Sequence, residues 1–141
     1  MKRYNPIEIE KKWQNKWEAD GVYAVDLTDQ SKPKYYGFSM LPGITGAGIH
    51  IGHGRTYQFS DIKVRAKRQQ GFNAYNPIGW DSFGLPVENY AIKVGKTPRA
   101  AHDDAKVHFK KQLKRLGYSY DWSKEISTAD PEYYKWTQWI F

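Results

Sequence analysis

The sequence has no cysteine among its 141 residues, which excludes disulfide bonds and metal sites built on thiolates. It also lacks any apolar run near the roughly 20 residues that a membrane-spanning helix needs, so no membrane anchor is expected. The N-terminal segment MKRYNPIEIEKKW is charged and has no apolar stretch of the signal-peptide kind. Together these absences favour a cytoplasmic protein.

The composition that is present favours a folded domain with a basic surface. Hydrophobic residues make up 40% of the chain, and a chain of this length can bury a real core. The formal net charge is +7, and the pI is near 9.5. Such a balance is typical of proteins that bind polyanions, although a solvated basic surface gives the same numbers.

Hydrophobic periodicity and turn residues predict the order of the elements. Helices are predicted at 6–20, at 51–69, from Pro98 to Gly117 and from Pro131 onward, and strands at 35–41 and 72–76. The core face of the second helix is predicted to carry Ile51, Tyr57, Ile62 and Ala66, with Lys63, Arg65, Lys67 and Arg68 mostly outside. On the helix that follows Pro98, the apolar face is predicted to consist of Ala101, Ala105, Phe109, Leu113 and Leu116, whereas His102 and His108 are predicted to face solvent.

A strand, a glycine-rich turn, a long helix and a second strand form a βαβ unit. The two strands of such a unit lie parallel in one sheet, and ligands of open α/β sheets bind beyond the carboxyl ends of the strands. Here those ends are followed by MLPGITGAG and by NPIGWD. The sequence therefore predicts a ligand site where these two segments meet.

The stretch GAGIHIGHGRTY places His50 and His53 among glycines within that predicted site. A zinc site needs about three protein ligands, and His102 and His108 are predicted to lie on another helix. The Walker loop does not match because Gly48 is followed by Ile49 and not by lysine, and the dinucleotide loop does not match because Gly52 comes one residue too late. Backbone N–H groups and the dipole at a helix start still favour an anion, and histidines can donate hydrogen bonds to phosphate. A nucleoside triphosphate fits best, while an ordinary turn stays open.

Several stretches resemble one family over essentially the whole chain. The tetrapeptide HIGH (50–53) is similar to the signature of class I aminoacyl-tRNA synthetases. The segment NPIGWDSFGLPVENYAIKVGKTP (76–98) resembles a G-W-D-x-x-G-L-P block of the isoleucyl, valyl and leucyl types, and Phe83 is the residue typical of the leucyl type. Residues 116–141 and the segment YNPIEIEKKWQNKWE also resemble the leucyl type.

The resemblance implies a fold, an activity and a set of substrates. Residues 1–141 would form the N-terminal half of a Rossmann-type (nucleotidyltransferase-like) catalytic domain, an α/β fold with a parallel sheet and flanking helices, with helix 6–20 at its start. The parent would be a leucine–tRNA ligase that uses ATP, leucine and leucine tRNA, with Mg²⁺ expected. An isoleucyl- or valyl-type fragment, or a nucleotide- or RNA-binding module without catalysis, stays open as an alternative.

The resemblance also assigns roles to individual residues. His50 and His53 would contact the ATP phosphates and stabilise the transition state of adenylation, and Gly52 would let adenine stack on the backbone. Asp81 would hold the α-ammonium group of the amino acid, through a carboxylate that is expected to be buried beyond the strand end. Other residues that would line the amino-acid site are Ser39, Met40, Leu41 and Phe83. No metal site is predicted in this segment.

Two interpretations stay open at this site. Asp81 could instead cap the turn before Pro86, as Asp often does. Leucyl enzymes usually carry an aromatic residue and then a proline where this chain has Gly43 and Ile44, so the amino-acid specificity is not fixed by the resemblance.

The resemblance further implies partners outside the 141 residues. The KMSKS loop that also grips ATP in this family is not in the sequence, nor is the editing insertion. We therefore expect the chain either to bind a complementary C-terminal half or to associate with itself. The C-terminal stretch YYKWTQWIF, rich in aromatic residues, adds to that expectation.

Overall fold

Helices surround short parallel strands in the computed structural model, which describes residues 4–46 and 48–141. The described helices are α1 (Pro6–Ala19), α2 (Ile51–Gln69), α3 (Leu85–Val94), α4 (Pro98–Arg115) and α5 (Pro131–Ile140). The described strands are β1 (Lys34–Tyr36), β2 (Asn73–Tyr75), β3 (Gly79–Trp80) and β4 (Ile126–Ser127), with a 3₁₀ turn at Trp122–Lys124. The α/β class predicted from the sequence is confirmed.

Every described strand pair is parallel. Strand β1 pairs with β2, with Lys34 opposite Asn73, and β3 pairs with β4, with Gly79 opposite Ile126. A single parallel bridge between Gly43 and Asp81 joins the segment after β1 to the residue after β3. The sequence therefore predicted the parallel arrangement correctly.

The first strand is shorter than predicted. The prediction ran over 35–41, but the ladder ends at Tyr36, and Gly37 makes the last backbone bond in it, from its N to Tyr75 O over 2.8 Å. The chain passes so close to α2 that a Cβ on Gly37 would collide with the side chain of Val64. The regular pairing stops there, and the chain returns to a neighbouring strand only at Gly43.

The core lies between the strands, α2 and α4. Its largest fully buried side chains include Trp80, Tyr57, Tyr120 and Phe109. On α4 the predicted apolar face is buried at Ala101, Ala105, Phe109 and Leu113. Leu116 is half exposed because it follows the last helical residue and caps the helix end.

The predicted core face of α2 is confirmed at Tyr57 and wrong at its other positions. Ile51 is 91% exposed and Ile62 and Ala66 are also exposed, whereas Asp61 and Val64 are buried with Tyr57. Asp61 can be buried because it accepts hydrogen bonds from the N and the Oγ of Ser119, both over 2.6 Å. Because the Asp61 carboxylate is satisfied by Ser119, α2 packs into the core with a different face from the one that hydrophobicity alone predicts.

Arg65 belongs to the same correction. Its guanidinium is half-buried rather than outside, bonds to Asp61 over 2.6 Å and to the hydroxyl of Tyr23 over 2.8 Å, and also reaches the carbonyl of Gly117. Burial alone would lower the pKa of Arg65, but the neighbouring carboxylate of Asp61 raises it above its ordinary value. The buried charges are therefore a paired unit that ties α2 to the segment after α4.

Helix α1 lies on the surface and buries no side chain. It is attached to the end of α4 by polar contacts. Glu10 pairs with Arg115 over 2.8 Å, Glu18 pairs with Lys114, and the Nε2 of Gln14 donates to the carbonyl of Arg115 over 3.0 Å. Exposed ion pairs of this kind contribute little each. Trp17 on α1 also lies edge-on to the ring of Tyr23, with centroids 5.9 Å apart, and beneath the guanidinium of Arg65.

None of the helices described within residues 4–46 and 48–141 is long and apolar enough to cross a bilayer.

Candidate functional site

The segment that follows β1 pairs side by side with the residue that follows β3. The N of Ile44 donates to the carbonyl of Asp81 over 3.2 Å, and the N of Asp81 donates to the carbonyl of Pro42 over 3.0 Å. These two bonds surround the Gly43–Asp81 bridge. The two segments that the sequence selected, MLPGITGAG and NPIGWD, therefore lie together at one edge of the fold, as the rule for parallel sheets requires.

Helix α2 begins within the HIGH tetrapeptide, at Ile51, with His50 as its N-cap. The Nδ1 of His50 accepts a hydrogen bond from the N of Gly52 over 3.1 Å, and the Nδ1 of His53 accepts one from the N of His50 over 3.3 Å. The two rings stack with centroids 3.9 Å apart. The structure thus brings the two predicted histidines together at the start of a 19-residue helix.

The hydrogen bonds fix the proton positions on both histidines. A nitrogen that accepts a bond carries no proton, so in the neutral rings the proton must be on Nε2. Partial burial, and then the nearby ring of His50, lower the pKa of His53 below its ordinary value. The neutral form of His53 is therefore favoured near pH 7, with its Nε2–H available as a donor to a ligand.

The glycines of this loop have different reasons for being glycine. A Cβ on Gly46 would collide with the ring of Tyr90 on α3, and Gly48 has φ +83° and lies against the side chain of Gln112 on α4. Gln112 Oε1 also accepts a bond from the N of Ile49 over 2.9 Å. Close protein packing therefore explains two of the glycines and fixes the loop from two sides.

Gly52 is different because it is exposed, and the near neighbour that its Cβ would meet is the ring of His50. No other described side chain lies within 4 Å of that Cβ position. A flat group that approached the backbone at Gly52 from this side would meet the ring of His50 and no other described side chain. The adenine-stacking role predicted from the sequence therefore requires that ring to move aside.

The residues predicted for the amino-acid site lie on the two adjacent segments. Met40 and Phe83 are exposed, while Ser39 and Leu41 are partly buried, and Leu41 packs over Gly79. The buried hydroxyl of Ser39 has no hydrogen-bond partner among the described residues. Asp81, which was expected to be a buried carboxylate, is exposed, because only its backbone takes part in the strand pairing.

A polar chain that sequence reasoning missed lies behind Asp81. Ser82 and His102 are both buried, and the Nε2 of His102 lies 2.7 Å from the Oγ of Ser82. The same Oγ lies 2.7 Å from the Oγ of Ser127 on β4, and the Nδ1 of His102 lies 3.0 Å from Asp103.

The prediction that His102 faces solvent is therefore wrong. It is 3% exposed because Ser82 and Asp103 occupy both of its nitrogens. The sequence does hold a signal for it: positions 102, 105, 109 and 113 follow the helical spacing of the buried stripe on α4. His108, by contrast, is exposed as predicted.

Two cavities accompany these elements. One of about 640 Å³ lies between α1 and the end of α4, and no residue predicted for the site lines it. A smaller one of about 310 Å³ is lined by Ser82, Phe83, Glu88, Arg99 and His102, among others. The smaller cavity adjoins the segment after β3, where two residues of that segment, Ser82 and Phe83, line it.

Within residues 4–46 and 48–141, no group of three or more His, Asp or Glu side chains is close enough together to hold a metal ion. The histidine pair has its Nδ1 atoms in use by the helix start.

Comparison with known families now decides the class. The family model described as tRNA synthetases class I (I, L, M and V) matches residues 12–141. The chain belongs to this family. In the described fold, the segment that leads to HIGH is bridged at Gly43 to Asp81 of the GWDSFG segment, and α2 begins within HIGH.

Individual relatives point to the leucine type. The chain is 52% identical over 141 residues to a leucine–tRNA ligase of Alkaliphilus oremlandii, covering all of this chain and 18% of that protein. It is 50% identical over 139 residues to a leucine–tRNA ligase of Chlorobium chlorochromatii, covering 99% of this chain and 17% of that protein. The chain therefore spans less than a fifth of the length of these relatives.

A solved structure gives the same result for the fold. The Agrobacterium radiobacter LeuRS, crystallised as a ternary complex with tRNA and LeuAMS, superposes with a TM-score of 0.90 and 34% identity. The match covers 99% of this chain and 17% of that one. The parallel strands and flanking helices are thus those of the class I synthetase catalytic fold.

Proposed function

We propose that residues 1–141 form the N-terminal half of the catalytic domain of a leucine–tRNA ligase, which binds ATP and leucine and forms leucyl-adenylate. The observation that carries the proposal is the meeting of two segments at the Gly43–Asp81 bridge, one leading to His50 and the other beginning at Asp81. The leucine–tRNA ligases that the chain resembles support the choice of amino acid. The missing cysteines support a cytoplasmic setting.

ATP would bind at the start of α2. The first N–H groups of the helix and its dipole favour the triphosphate. His50 and His53 would donate from Nε2 to phosphate oxygens, since their Nδ1 atoms already accept backbone bonds. Adenine would approach the backbone at Gly52 once the ring of His50, which lies against it, moves aside.

Leucine would bind between the two strand ends. The exposed carboxylate of Asp81 is available for the α-ammonium group, and a charged hydrogen bond of this kind is among the strong ones. Met40, Leu41 and Phe83 would contact the aliphatic side chain, and the unpaired hydroxyl of Ser39 would supply a polar contact.

The reaction needs positioning and charge stabilisation. A carboxylate oxygen of leucine attacks the α-phosphorus of ATP, and the bond from that phosphorus to the bridging oxygen breaks, giving leucyl-adenylate and pyrophosphate. The two histidines would stabilise the charge that develops on the phosphate oxygens. Mg²⁺ is expected to accompany ATP, with phosphate oxygens among its ligands; we assign it no ligand from this chain.

Transfer of leucine to tRNA is proposed to need further protein. The relatives are more than five times as long as this chain, and the LeuRS complex that it resembles was crystallised with tRNA. We propose that a complementary C-terminal half, or a second copy of the chain, completes the site. The purified chain alone should not charge tRNA.

The test is leucine-dependent exchange of pyrophosphate into ATP. We expect exchange with leucine and little with isoleucine or valine, either from the chain alone or after a C-terminal half is added. ATP binding with no exchange under both conditions would favour the alternative of a nucleotide-binding module. Stronger exchange with isoleucine or valine would contradict the assignment to leucine.

A further inference from the structure

The segment after β3 has an alternating pattern of exposure. Asp81 and Phe83 are exposed, whereas Ser82 between them is buried. Side chains alternate in this way along extended backbone. Asp81 and Phe83, the two residues proposed to contact the amino acid, are therefore joined by a residue that faces inward. The contacts that fix Ser82 also fix the direction in which Asp81 and Phe83 point.

Ser82 is held at three points. Its N donates to the Oγ1 of Thr128 over 2.8 Å, its Oγ lies 2.7 Å from the Oγ of Ser127, and the same Oγ lies 2.7 Å from the Nε2 of His102. The first two contacts come from the neighbouring strand segment at β4. The third comes from α4, so His102 is the only one of these partners that is supplied by a helix.

His102 is itself oriented by a carboxylate. Asp103 accepts from Nδ1 over 3.0 Å and is also bonded to the Nε of Arg99 over 3.1 Å. Burial alone would raise the pKa of Asp103, but the bonds from His102 and Arg99 hold it below its ordinary value. The carboxylate therefore keeps the proton on Nδ1 and turns Nε2 toward Ser82.

The contact between His102 and Ser82 survives a change of protonation. When the ring is neutral with its proton on Nδ1, Nε2 accepts a hydrogen bond from the Ser82 hydroxyl. When the ring is charged, Nε2 donates to that oxygen, and the hydroxyl turns to the carbonyl of Trp80, which lies 3.0 Å away. The Ser82 hydroxyl therefore has a hydrogen-bond partner in both cases.

We propose that His102 is a positioning residue for the amino-acid site and acts through Ser82 to hold Asp81 and Phe83 in place. The inference rests on the proposed function, since Asp81 and Phe83 are the residues assigned there to leucine. The proposed role of His102 concerns leucine and not ATP. The residues assigned to ATP, His50 and His53, lie at the start of α2, and their hydrogen bonds do not involve His102 or Ser82.

Binding measurements on the purified chain separate positioning from general stability. His102→Ala should weaken leucine binding about tenfold, the order expected for loss of one buried hydrogen bond, and should leave ATP affinity within about twofold. His102→Gln should restore most of the leucine affinity, because its amide group can both accept from and donate to the Ser82 hydroxyl. Val107→Ala, at an exposed site on the same helix, is the matched control.

Ser82→Ala tests the same link from the other side and keeps the helix intact. It should reproduce the leucine-specific loss, and the double variant with His102→Ala should be no worse than either single variant. Equal losses for leucine and ATP, additive effects in the double variant, or a lack of rescue by His102→Gln would overturn the inference.

Amide hydrogen exchange keeps the inference separate from the proposed function. If the unsubstituted chain does not bind leucine, the proposed function fails. The inference is then decided by exchange at the amides of Ser82 and Phe83, which should be faster in His102→Ala and restored in His102→Gln, with β1 and β2 unchanged. Unchanged exchange at these amides would overturn it.

Discussion

His53 uses Nδ1 to accept a bond from the N of His50, which leaves Nε2 for the proposed bond to ATP. His53→Ala should lower ATP affinity by ~1.5–3 kcal/mol, the value of a hydrogen bond to a charged group. Calorimetric titration with ATP measures the loss. Gln58→Ala, at an exposed position on the same helix, should leave the affinity unchanged, and an equal affinity for both variants would remove His53 from the site.

Asp81 offers a separate test of the amino-acid site. Asp81→Asn keeps the shape and removes the charge, so it should weaken leucine binding by at least about tenfold through loss of a charge-assisted bond, with no effect on ATP. Equilibrium dialysis with labelled leucine checks this. Undiminished leucine binding would instead support the interpretation that Asp81 only caps the turn before Pro86.

At the level of the elements, α2 depends on a buried carboxylate. Asp61 is 4% exposed and accepts hydrogen bonds from Arg65 and Ser119 and a longer one, of 3.4 Å, from Asn76. Asp61→Ala should lower the free energy of unfolding by ~3–5 kcal/mol, because it leaves a partly buried guanidinium and a buried N–H without partners.

Urea unfolding followed by tryptophan fluorescence measures that change. The control is Asp20→Ala, which breaks the exposed pair with Lys16 and should cost less than about 1 kcal/mol. If the two variants lose similar stability, the network around Asp61 does not hold α2 as described.

The elements also show where sequence reasoning succeeds and where it stops. Capping residues and periodicity located α2 and α4 within a residue or two, because those signals are local. The orientation of α2 could not be predicted, since it is set by Ser119, which lies 58 positions from Asp61. The prediction that His102 is exposed was wrong for a similar reason. A polar residue on a helix is usually exposed, and the sequence does not show that Ser82, from another element, is its partner.

The sequence also predicted part of the candidate site and missed another part. The two strand ends were predicted from the βαβ pattern, and their pairing at Asp81 is observed. The exposure of the Asp81 carboxylate was not predicted, because a residue name does not say whether the backbone or the side chain takes part in the pairing. The roles of the individual residues stay predictions until ligand binding is measured.

At the level of the whole molecule, α5 presents a large apolar surface. Trp139 is 79% exposed, and Trp136 and Ile140 are also exposed. Such patches favour association, so the purified chain should form dimers or larger species at micromolar concentration. Analytical ultracentrifugation measures the mass, and Trp139→Lys should shift it toward monomer.

The control for association is Val107→Lys, which changes a single exposed apolar residue on α4 and should leave the distribution as it was. A monomer throughout the micromolar range in the unsubstituted chain, with no binding of an apolar dye, would contradict the prediction.

The parallel pairing of the strands has a consequence for folding kinetics. Each described pair, including the Gly43–Asp81 bridge, joins residues roughly forty or more positions apart, so a long loop must close before any pair can form. Helices α2 and α4, whose bonds are local, should form early, and the edge that carries Asp81 should assemble late. In a stopped-flow experiment, the last phase of refolding should therefore be the one that creates leucine-binding competence.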